Sequence, residues 1–248
     1  MRPASADAGA AALEDAVVWH DVECGPYAAD LPLWFELAAA AAPAPVLDIG
    51  AGTGRVALAL ARAGHAVHAL ERDPRLLAAL GDRAAGLPVT CTPADACSFS
   101  VDPTFGLCLV AMQTIHLLAD RPAFLRCAHA SLAPGGVLAA ALLGPGVEPF
   151  EAELEPDRAI RDGVLYESRP TSLRLDDDGA IVLERRRERT DPEGLRVERD
   201  VIRLAPLTPA QLASEARAAG FEVTGSRTVA PTEDRAGSVV LVMARPAR

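Results

Sequence analysis

The segment Val46–Gly64, VLDIGAGTGRVALALARAG, decides the fold and the function predicted from this sequence. A short apolar run contains one acid, Asp48, and leads into glycines at every second position, Gly50, Gly52 and Gly54. An alanine- and leucine-rich run follows. This order is typical of a buried β-strand that turns into an α-helix. Glycines in such a turn allow the backbone to approach a ligand closely at the carboxyl end of the strand.

The remaining chain extends this pattern. Short apolar runs alternate with helical segments up to about residue 145, which predicts a parallel sheet covered on both faces. Three alternating stretches between Gly163 and Leu204 are joined by DDDG and DPEG, so they predict an antiparallel meander. A helix capped by Thr208 and Gln211 and two closing strands follow. We therefore predict a Rossmann-like, doubly wound, mostly parallel seven-stranded sheet with an antiparallel β-meander inserted before the last helix.

Composition disfavours several classes of partner and enzyme. The formal net charge of −10 disfavours nucleic acid as a partner, since phosphate binding usually requires a positive face. The chain has no lysine, which excludes a phosphate-binding loop of the Gly-Lys-Ser/Thr type and a Schiff-base enzyme. No apolar run is long enough to span a membrane, and no export signal is visible. The five cysteines form no Cys-x-x-Cys pair, and no His, Asp or Glu spacing indicates a metal site. We expect a cytoplasmic protein with reduced thiols.

The glycine spacing also argues against a dinucleotide. The dinucleotide fingerprint is Gly-x-Gly-x-x-Gly, whereas Arg55 takes the place of its third glycine here. The carboxylate of Asp48 beside the turn would repel a pyrophosphate and would favour an ammonium group. An NAD-dependent reductase is therefore the weaker alternative.

Five motifs together resemble the class I S-adenosylmethionine-dependent methyltransferases of the small-molecule type. The motifs are VLDIGAGTGR, ALERD, PADACSF, FGLCLVAMQTIHLL and LAPGGVL. The resemblance runs motif by motif over Tyr27–Leu143 and more loosely over Thr208–Arg245. It implies S-adenosylmethionine as methyl donor, S-adenosylhomocysteine as product, and an O, N or C nucleophile of a small molecule as acceptor. A non-catalytic protein that binds S-adenosylmethionine for regulation is the alternative from another class.

The resemblance assigns a role to each matching residue. It implies that Glu71 accepts hydrogen bonds from both ribose hydroxyls, although a simple strand-end acid is the alternative. Arg72 is expected beside the adenine, and Asp95 with the backbone N–H of Ala96 is expected to meet the adenine amino group and ring nitrogen. The methionine portion is expected along the glycine turn. The full set of predicted cofactor residues is Tyr27, Asp48, Gly50, Ala51, Gly52, Gly54, Glu71, Arg72, Asp95, Ala96, Met112 and Gln113.

The residue that performs the chemistry is a separate question. His116 lies at the mouth of the fourth strand and is the best-placed titratable group, so it is the candidate general base. Packing of the loop is the alternative role for this histidine. Because the donor is intrinsically reactive, alignment and exclusion of water can suffice for methyl transfer.

The chain is expected to consist of three parts. Residues 1–40 are predicted to form an N-terminal helical cap, with residues 1–12 unstructured. Residues 41–145 and 205–248 are predicted to form the cofactor-binding core. Residues 146–204 form the inserted meander, which we expect to bind the acceptor or to mediate dimerisation, since an exposed strand edge can pair between two copies.

Overall fold

A computed structural model describes residues 7–102 and 105–247 of the chain. The described residues divide into two compact units. The larger unit comprises Tyr27–Val147 and the residues from Leu204 onward, and the smaller comprises the residues up to Pro26 and Glu148–Arg203. In chain order the helices are α1 (Asp7–Cys24), α2 (Leu31–Ala41), α3 (Arg55–Arg62), α4 (Pro74–Arg83), α5 (Arg121–Ser131) and α6 (Pro209–Ala218). The strands are β1 (Val46–Ile49), β2 (Val67–Glu71), β3 (Val89–Pro93), β4 (Phe105–Val110), β5 (Leu132–Leu143), β6 (Phe150–Glu151), β7 (Asp157–Arg161), β8 (Val164–Leu175), β9 (Ile181–Asp191), β10 (Gly194–Leu204), β11 (Glu222–Val229) and β12 (Ser238–Ala244).

The larger unit contains a seven-stranded sheet in the order β11-β12-β5-β4-β1-β2-β3. Strands β1 to β5 run parallel, and β12 runs antiparallel between β5 and β11. The strand order reverses direction between β1 and β4, so the carboxyl ends of these strands flank the crevice in which open α/β sheets bind ligands. The predicted Rossmann-like, mostly parallel sheet is confirmed.

The apolar residues of β1 explain why helices cover both faces of this sheet. Leu47 and Ile49 belong to one buried cluster together with Phe124 of α5. Val46 belongs to a second cluster together with Trp34 of α2. Because successive side chains of a strand point to opposite faces, a continuous apolar strand requires a helix layer on each side.

Local sequence signals fix where three helices begin. Asp73 caps α4 by accepting a hydrogen bond from Arg75 N, and Asp120 caps α5 in the same way from Ala123 N. At the start of α6, Thr208 accepts a hydrogen bond from Gln211 N at 3.2 Å, and the Gln211 side chain accepts one from Thr208 N at 2.8 Å. The predicted capping box is therefore present.

The smaller unit combines α1 with a five-stranded antiparallel sheet. Its strand order is β10-β9-β8-β6, and β7 also pairs with β8. Strands β8, β9 and β10 form the predicted meander. Strands β6 and β7 were not predicted, because β6 has two residues and β7 is a short charged segment without polar–apolar alternation.

The N-terminal helices differ from the prediction of one cap over residues 1–40. α1 lies with the antiparallel sheet in the smaller unit, whereas α2 lies in the larger unit. α1 also begins at Asp7, so the expected unstructured start is wrong from there to residue 12, and residues 1–6 lie outside the described range. Within the described part of the chain, no helix is both long enough and apolar enough to cross a membrane.

A buried ion pair joins α1 to the antiparallel sheet. Glu23 accepts two hydrogen bonds from Arg187 of β9, at 2.7 and 2.8 Å, and a third from Ser168 of β8 at 2.7 Å. Trp19 of α1 packs edge-to-face on Tyr166 with ring centroids 5.1 Å apart. Burial by itself raises the pKa of Glu23, but the hydrogen bonds and charge of Arg187 outweigh it and leave the pKa below its ordinary value.

We expect Glu23→Ala to lower the free energy of unfolding by about 3 kcal/mol, because it leaves the Arg187 guanidinium half-buried without its main partner. Denaturant titration followed by circular dichroism measures this change. Arg158→Ala is the matched control, since it removes the exposed Arg158–Glu167 pair and should cost less than about 1 kcal/mol. Equal effects of the two changes would contradict a stabilising role for Glu23.

Candidate functional site

The three glycines between β1 and α3 adopt backbone conformations that other residues rarely take. Their φ angles are +67° at Gly50, +56° at Gly52 and +97° at Gly54. A Cβ atom at Gly50 would lie 2.7 Å from the Thr114 side chain, and one at Gly54 would lie 2.9 Å from Leu80. The turn therefore requires glycine for its conformation and for close packing.

Backbone hydrogen bonds hold this turn against the end of β2. The N–H groups of Gly50 and Ala51 both donate to the Leu70 carbonyl, at 2.8 and 3.1 Å. The N–H of Gly54 donates to the Ala51 carbonyl at 2.9 Å and closes the turn. The glycine turn and the last residues of β2 consequently form one rigid edge of the site.

Glu71, the last residue of β2, adds a side-chain contact to this edge. Its Oε2 atom accepts a hydrogen bond from Gly52 N at 3.0 Å, and its Oε1 atom accepts one from Asp73 N at 2.9 Å. The side chain is buried. A carboxylate offers about four acceptor directions, so each oxygen of Glu71 keeps one direction for a donor such as a sugar hydroxyl.

Asp48 places a second carboxylate behind the turn. It is fully buried in β1, and its Oδ2 atom has no hydrogen-bond partner among the described residues. Burial raises the pKa of Asp48 to about 7, and the charge of Arg55 opposes this rise. An unpartnered buried carboxylate oxygen beside a ligand-binding turn fits a cationic or hydrogen-bond-donating ligand group.

Arg55, the first residue of α3, ties the glycine turn to α2. Its guanidinium donates to both carboxylate oxygens of Asp30, at 2.6 and 2.8 Å, and to the Tyr27 carbonyl at 2.8 Å. Trp34 Nε1 also donates to Asp30, at 2.9 Å. Both members of the ion pair are buried, with side chains 9% and 4% exposed. No local sequence pattern predicts this contact, because Arg55 and Asp30 are 25 residues apart in the chain.

Tyr27 lies under the same guanidinium. The Arg55 Cζ atom is 5.2 Å from the centre of the Tyr27 ring, within the range of a cation–π contact. Burial raises the pKa of Tyr27, so the phenol stays protonated at neutral pH. The ring belongs to the apolar cluster that also contains Ala51 of the glycine turn. Tyr27 is therefore buried in the same cluster as the glycine turn, and its contact with a cofactor stays a prediction.

Met112 and Gln113 follow β4 and have strained backbones. Their φ angles are +44° and +53°, in the left-handed region that non-glycine residues seldom occupy. Such outliers persist only where the surrounding structure holds them, and they occur most often at functional sites. Gln113 Nε2 donates to Ser238 Oγ at 3.3 Å, which ties this loop to β12.

The remaining predicted residues lie at the ends of the neighbouring strands. Arg72 directly follows β2 and is exposed. Asp95 follows β3, is exposed, and accepts a hydrogen bond from Cys97 N at 2.7 Å. Ala96 is half-buried against the core. Because β1, β2 and β3 are parallel neighbours, these residues lie on the same sheet edge as the glycine turn.

The geometry of His116 does not support its predicted role as general base. Its Nδ1 atom is 2.9 Å from the Ala205 carbonyl, and its Nε2 atom accepts a hydrogen bond from Leu143 N at 3.1 Å. The carbonyl requires a proton on Nδ1, so the only lone pair of the neutral ring is occupied. Burial lowers the pKa of His116, and the charge of Arg121 lowers it further. His116 joins the loop after β4 to the end of β5 and to the segment before α6.

No metal-binding arrangement is found in the portion of the chain that the structure describes. That portion contains no group of three or more His, Cys, Asp or Glu side chains suited to hold an ion.

Comparison with known proteins identifies the domain. A family profile described as "Methyltransferase domain" matches residues 46–136. No curated protein sequence is detectably similar to the chain. Over these residues the chain is therefore similar to a methyltransferase domain, which supports the resemblance drawn from the sequence motifs.

Solved structures share that fold over most of their length. One is S-adenosylmethionine-bound CalS10, an amino pentose methyltransferase from Micromonospora echinaspora, with 23% identity, 99% of both chains covered and a TM-score of 0.68. Another is the sugar N-methyltransferase KedS8 from a Streptoalloteichus species, with 20% identity, 92% of both chains covered and a TM-score of 0.73. A third is the CcbJ methyltransferase from Streptomyces caelestis, with 23% identity, 95% and 98% covered and a TM-score of 0.71. The description of CalS10 names S-adenosylmethionine as the ligand bound to that protein.

The surroundings of His116 predict a pH effect on stability. Because its pKa is lowered in the folded protein from an unfolded value of about 6.5, the unfolded state binds the proton more readily. The contribution of His116 is therefore present above pH 6.5 and is lost as the pH falls below it. We expect His116→Gln to lower the free energy of unfolding at pH 7.5 by about 1–3 kcal/mol, since Gln cannot reproduce both hydrogen bonds.

The same variant should also flatten the pH dependence. Between pH 6.5 and 5 the free energy of unfolding should change less steeply with pH than in the wild type. The difference in slope should be at most about 1.4 kcal/mol per pH unit. Urea titrations at several pH values measure both quantities. His65→Gln is the control, because His65 has no described side-chain partner. An unchanged slope in the His116 variant would mean that this ring is not held neutral by its backbone partners.

Proposed function

We propose that this enzyme transfers the methyl group of S-adenosylmethionine to a nitrogen nucleophile of a small, hydroxylated molecule of the amino-sugar type. The observation that carries the proposal is the unpartnered Oδ2 atom of Asp48, buried behind a glycine turn that Glu71 holds in place. The printed descriptions of CalS10 and KedS8, which name an amino pentose and a sugar nitrogen, support the acceptor class.

The residues present fit the polar groups of the cofactor. Asp48 would pair with the ammonium of the methionine portion, which would lie along Gly50, Ala51 and Gly52. A cation there would offset the excess of acidic groups, because Glu71 and Asp30 both raise the pKa of Asp48 and only Arg55 offsets their charge. S-Adenosylmethionine supplies, when bound, a methyl group on a positively charged sulfur.

The nucleoside portion of the cofactor would lie along the ends of β2 and β3. Glu71 would accept hydrogen bonds from the ribose hydroxyls through the two directions that its backbone donors leave. Asp95 and the Ala96 N–H would face the adenine edge, and Arg72 would flank the ring. Tyr27, Met112, Gln113 and Gly54 would close the remaining sides.

The protein's contribution to the reaction is alignment. His116 has no free lone pair, and the raised pKa of Tyr27 keeps that phenol protonated, so neither supplies a base at neutral pH. A neutral amine needs no base before it attacks, because its lone pair is already available. Holding donor and acceptor in line while excluding water then lowers the barrier. This chemistry is why a nitrogen acceptor is favoured over a hydroxyl.

A turnover assay tests the proposal. The chain is incubated with S-adenosylmethionine and a panel of amino sugars, with the corresponding hydroxy sugars as controls, and formation of S-adenosylhomocysteine is measured. Turnover with an amino sugar is expected. Cofactor binding without turnover on any acceptor would favour the non-catalytic alternative, and binding of NADH in place of S-adenosylhomocysteine would favour the reductase.

Replacing Glu71 by Ala should weaken binding of S-adenosylhomocysteine by about 1.5–3 kcal/mol, since it removes the charge-assisted acceptor for the ribose. Isothermal titration calorimetry measures the affinity. Glu222→Ala, which removes an exposed acid from β11, is the control and should leave the affinity unchanged. Wild-type affinity in the Glu71 variant would rule out the ribose assignment.

Asp48 should make cofactor binding depend on pH. With a pKa of about 7 its ionised fraction rises between pH 6 and 7.5, while the cofactor's α-amino group stays mostly protonated. We expect wild-type affinity for S-adenosylhomocysteine to rise by up to about eightfold over this range. Asp48→Asn keeps the shape and loses the charge, so its affinity should be lower at pH 7.5 and nearly independent of pH. A wild-type pH profile in the variant would contradict the pairing.

A further inference from the structure

Asp30 and Arg55 occupy positions that local helix chemistry does not explain. Asp30 lies at the N-cap position of α2, yet its side chain caps no backbone N–H of that helix. Arg55 is the first residue of α3, where a cation faces the positive end of the helix dipole. Both side chains are nevertheless buried. The stability of the two helices therefore does not account for this acid and this arginine.

The hydrogen bonds of this pair connect the segment before α2 to the glycine turn. Arg55 donates to both oxygens of Asp30 and to the Tyr27 carbonyl, and its guanidinium lies 5.2 Å from the centre of the Tyr27 ring. Arg55 directly follows Gly54, the last glycine of the turn. These contacts therefore fix the position of Tyr27 relative to the turn. A planar guanidinium suits such a set of acceptors better than an ammonium group does.

Asp30 is itself held in place by the apolar core. Trp34 of α2 is fully buried, and its Nε1 atom donates to Asp30 Oδ2 at 2.9 Å. Oδ2 therefore accepts from both Trp34 and Arg55, while Oδ1 accepts from Arg55. With both oxygens engaged, the carboxylate has one favourable orientation, and it presents Arg55 with a fixed partner.

The same two residues carry charges that act on Asp48. This carboxylate is buried in β1, and its Oδ2 atom has no hydrogen-bond partner among the described residues. Burial raises the pKa of Asp48, Arg55 lowers it, and Glu71 and Asp30 raise it further. On the neighbouring β4, burial also raises the pKa of the Cys108 thiol, so this group adds no charge at neutral pH. Arg55 and Asp30 therefore act on Asp48 in opposite directions.

We infer that Arg55 and Asp30 are positioning residues for S-adenosylmethionine: the pair holds Tyr27 against the glycine turn and balances the charge that the cofactor's ammonium meets at Asp48. This role rests on the pairing of Asp48 with that ammonium in the proposed function, and it is independent of the acceptor. Neither residue touches the reacting atoms. Both act through their neighbours, Asp48 and Tyr27.

Calorimetric titration with S-adenosylhomocysteine at several pH values tests this role. In the wild type we expect the affinity to follow the ionisation of Asp48, whose pKa is about 7. Arg55→Gln removes the opposite charge and should move this midpoint up by about 1 pH unit. Asp30→Asn removes a like charge and should move the midpoint down, by less, because Asp30 acts more weakly on Asp48 than Arg55 does. A pair with only a structural role would lower the affinity equally at every pH.

Two further variants separate the charge of the pair from its geometry. The double variant Asp30→Asn, Arg55→Gln removes both charges, so its midpoint should lie between those of the two single variants. Arg55→Lys keeps the positive charge but loses the planar fork that holds Asp30 and the Tyr27 carbonyl. We expect Arg55→Lys to keep the wild-type midpoint and to bind S-adenosylhomocysteine more weakly at every pH.

NMR of labelled aspartate carboxyls follows Asp48 in the protein without cofactor. The signal of Asp48 is identified by its absence in Asp48→Asn, and the two single variants should shift its midpoint in the same opposite directions as in the binding profiles. If Asp48→Asn binds with the wild-type pH profile, the pairing in the proposed function fails. If it flattens the profile while Arg55→Gln and Asp30→Asn leave the midpoint unmoved, only the role of the pair fails.

Arg121→Gln is the matched control. Arg121 is also the first residue of a helix, α5, and it donates to both carboxylate oxygens of Glu215 at 3.0 and 2.9 Å, but this pair joins α5 to α6. The control should leave the midpoint unchanged. Far-UV circular dichroism is recorded for each variant, and if Arg55→Gln is unfolded, Asp30→Asn must still move the midpoint down. Shifts in one common direction, or a shift in the control equal to that of Arg55→Gln, would overturn the inference.

Discussion

The hydrogen bond from Gly52 N to the Glu71 carboxylate joins the two segments on which the candidate site depends. The glycine turn has three left-handed residues, all of them glycines that carry no side chain. It is held by the Leu70 carbonyl and by Glu71, which are both at the end of β2. Because the turn leads directly into α3, the same contacts also fix the position of that helix. Binding surface and fold therefore share one small set of hydrogen bonds.

The balance of charges around Asp48 is the second constraint on the candidate site. Asp30, Asp48 and Glu71 are all buried, and Arg55 is the cation that acts on Asp48. Arg55 donates to Asp30 and to the Tyr27 carbonyl, and the Oδ2 atom of Asp48 has no hydrogen-bond partner among the described residues. An apolar surrounding with an excess of carboxylates raises the pKa of Asp48 and favours a positively charged ligand. The same arrangement is unsuitable for a pyrophosphate.

The two units are stabilised by different interactions. The parallel sheet of the larger unit is covered by apolar helices, and its central strands are buried on both faces. The antiparallel sheet of the smaller unit carries many arginines and acids. One of these arginines, Arg187 of β9, pairs with the buried Glu23 of α1.

Local sequence determined the strand and helix pattern, the glycine turn, the capping box of Thr208 and Gln211, and the hairpins of the meander, because periodicity and turn chemistry act over a few residues. It also placed Glu71 at the end of β2, where a side chain can reach the turn. The ligand roles of the predicted residues stay predictions. Only the tertiary structure paired Arg55 with Asp30, occupied both nitrogens of His116 with Ala205 and Leu143, and brought α1 to strands more than a hundred residues away. These contacts arise where distant segments meet in the packed chain, and no local pattern encodes which segments will meet.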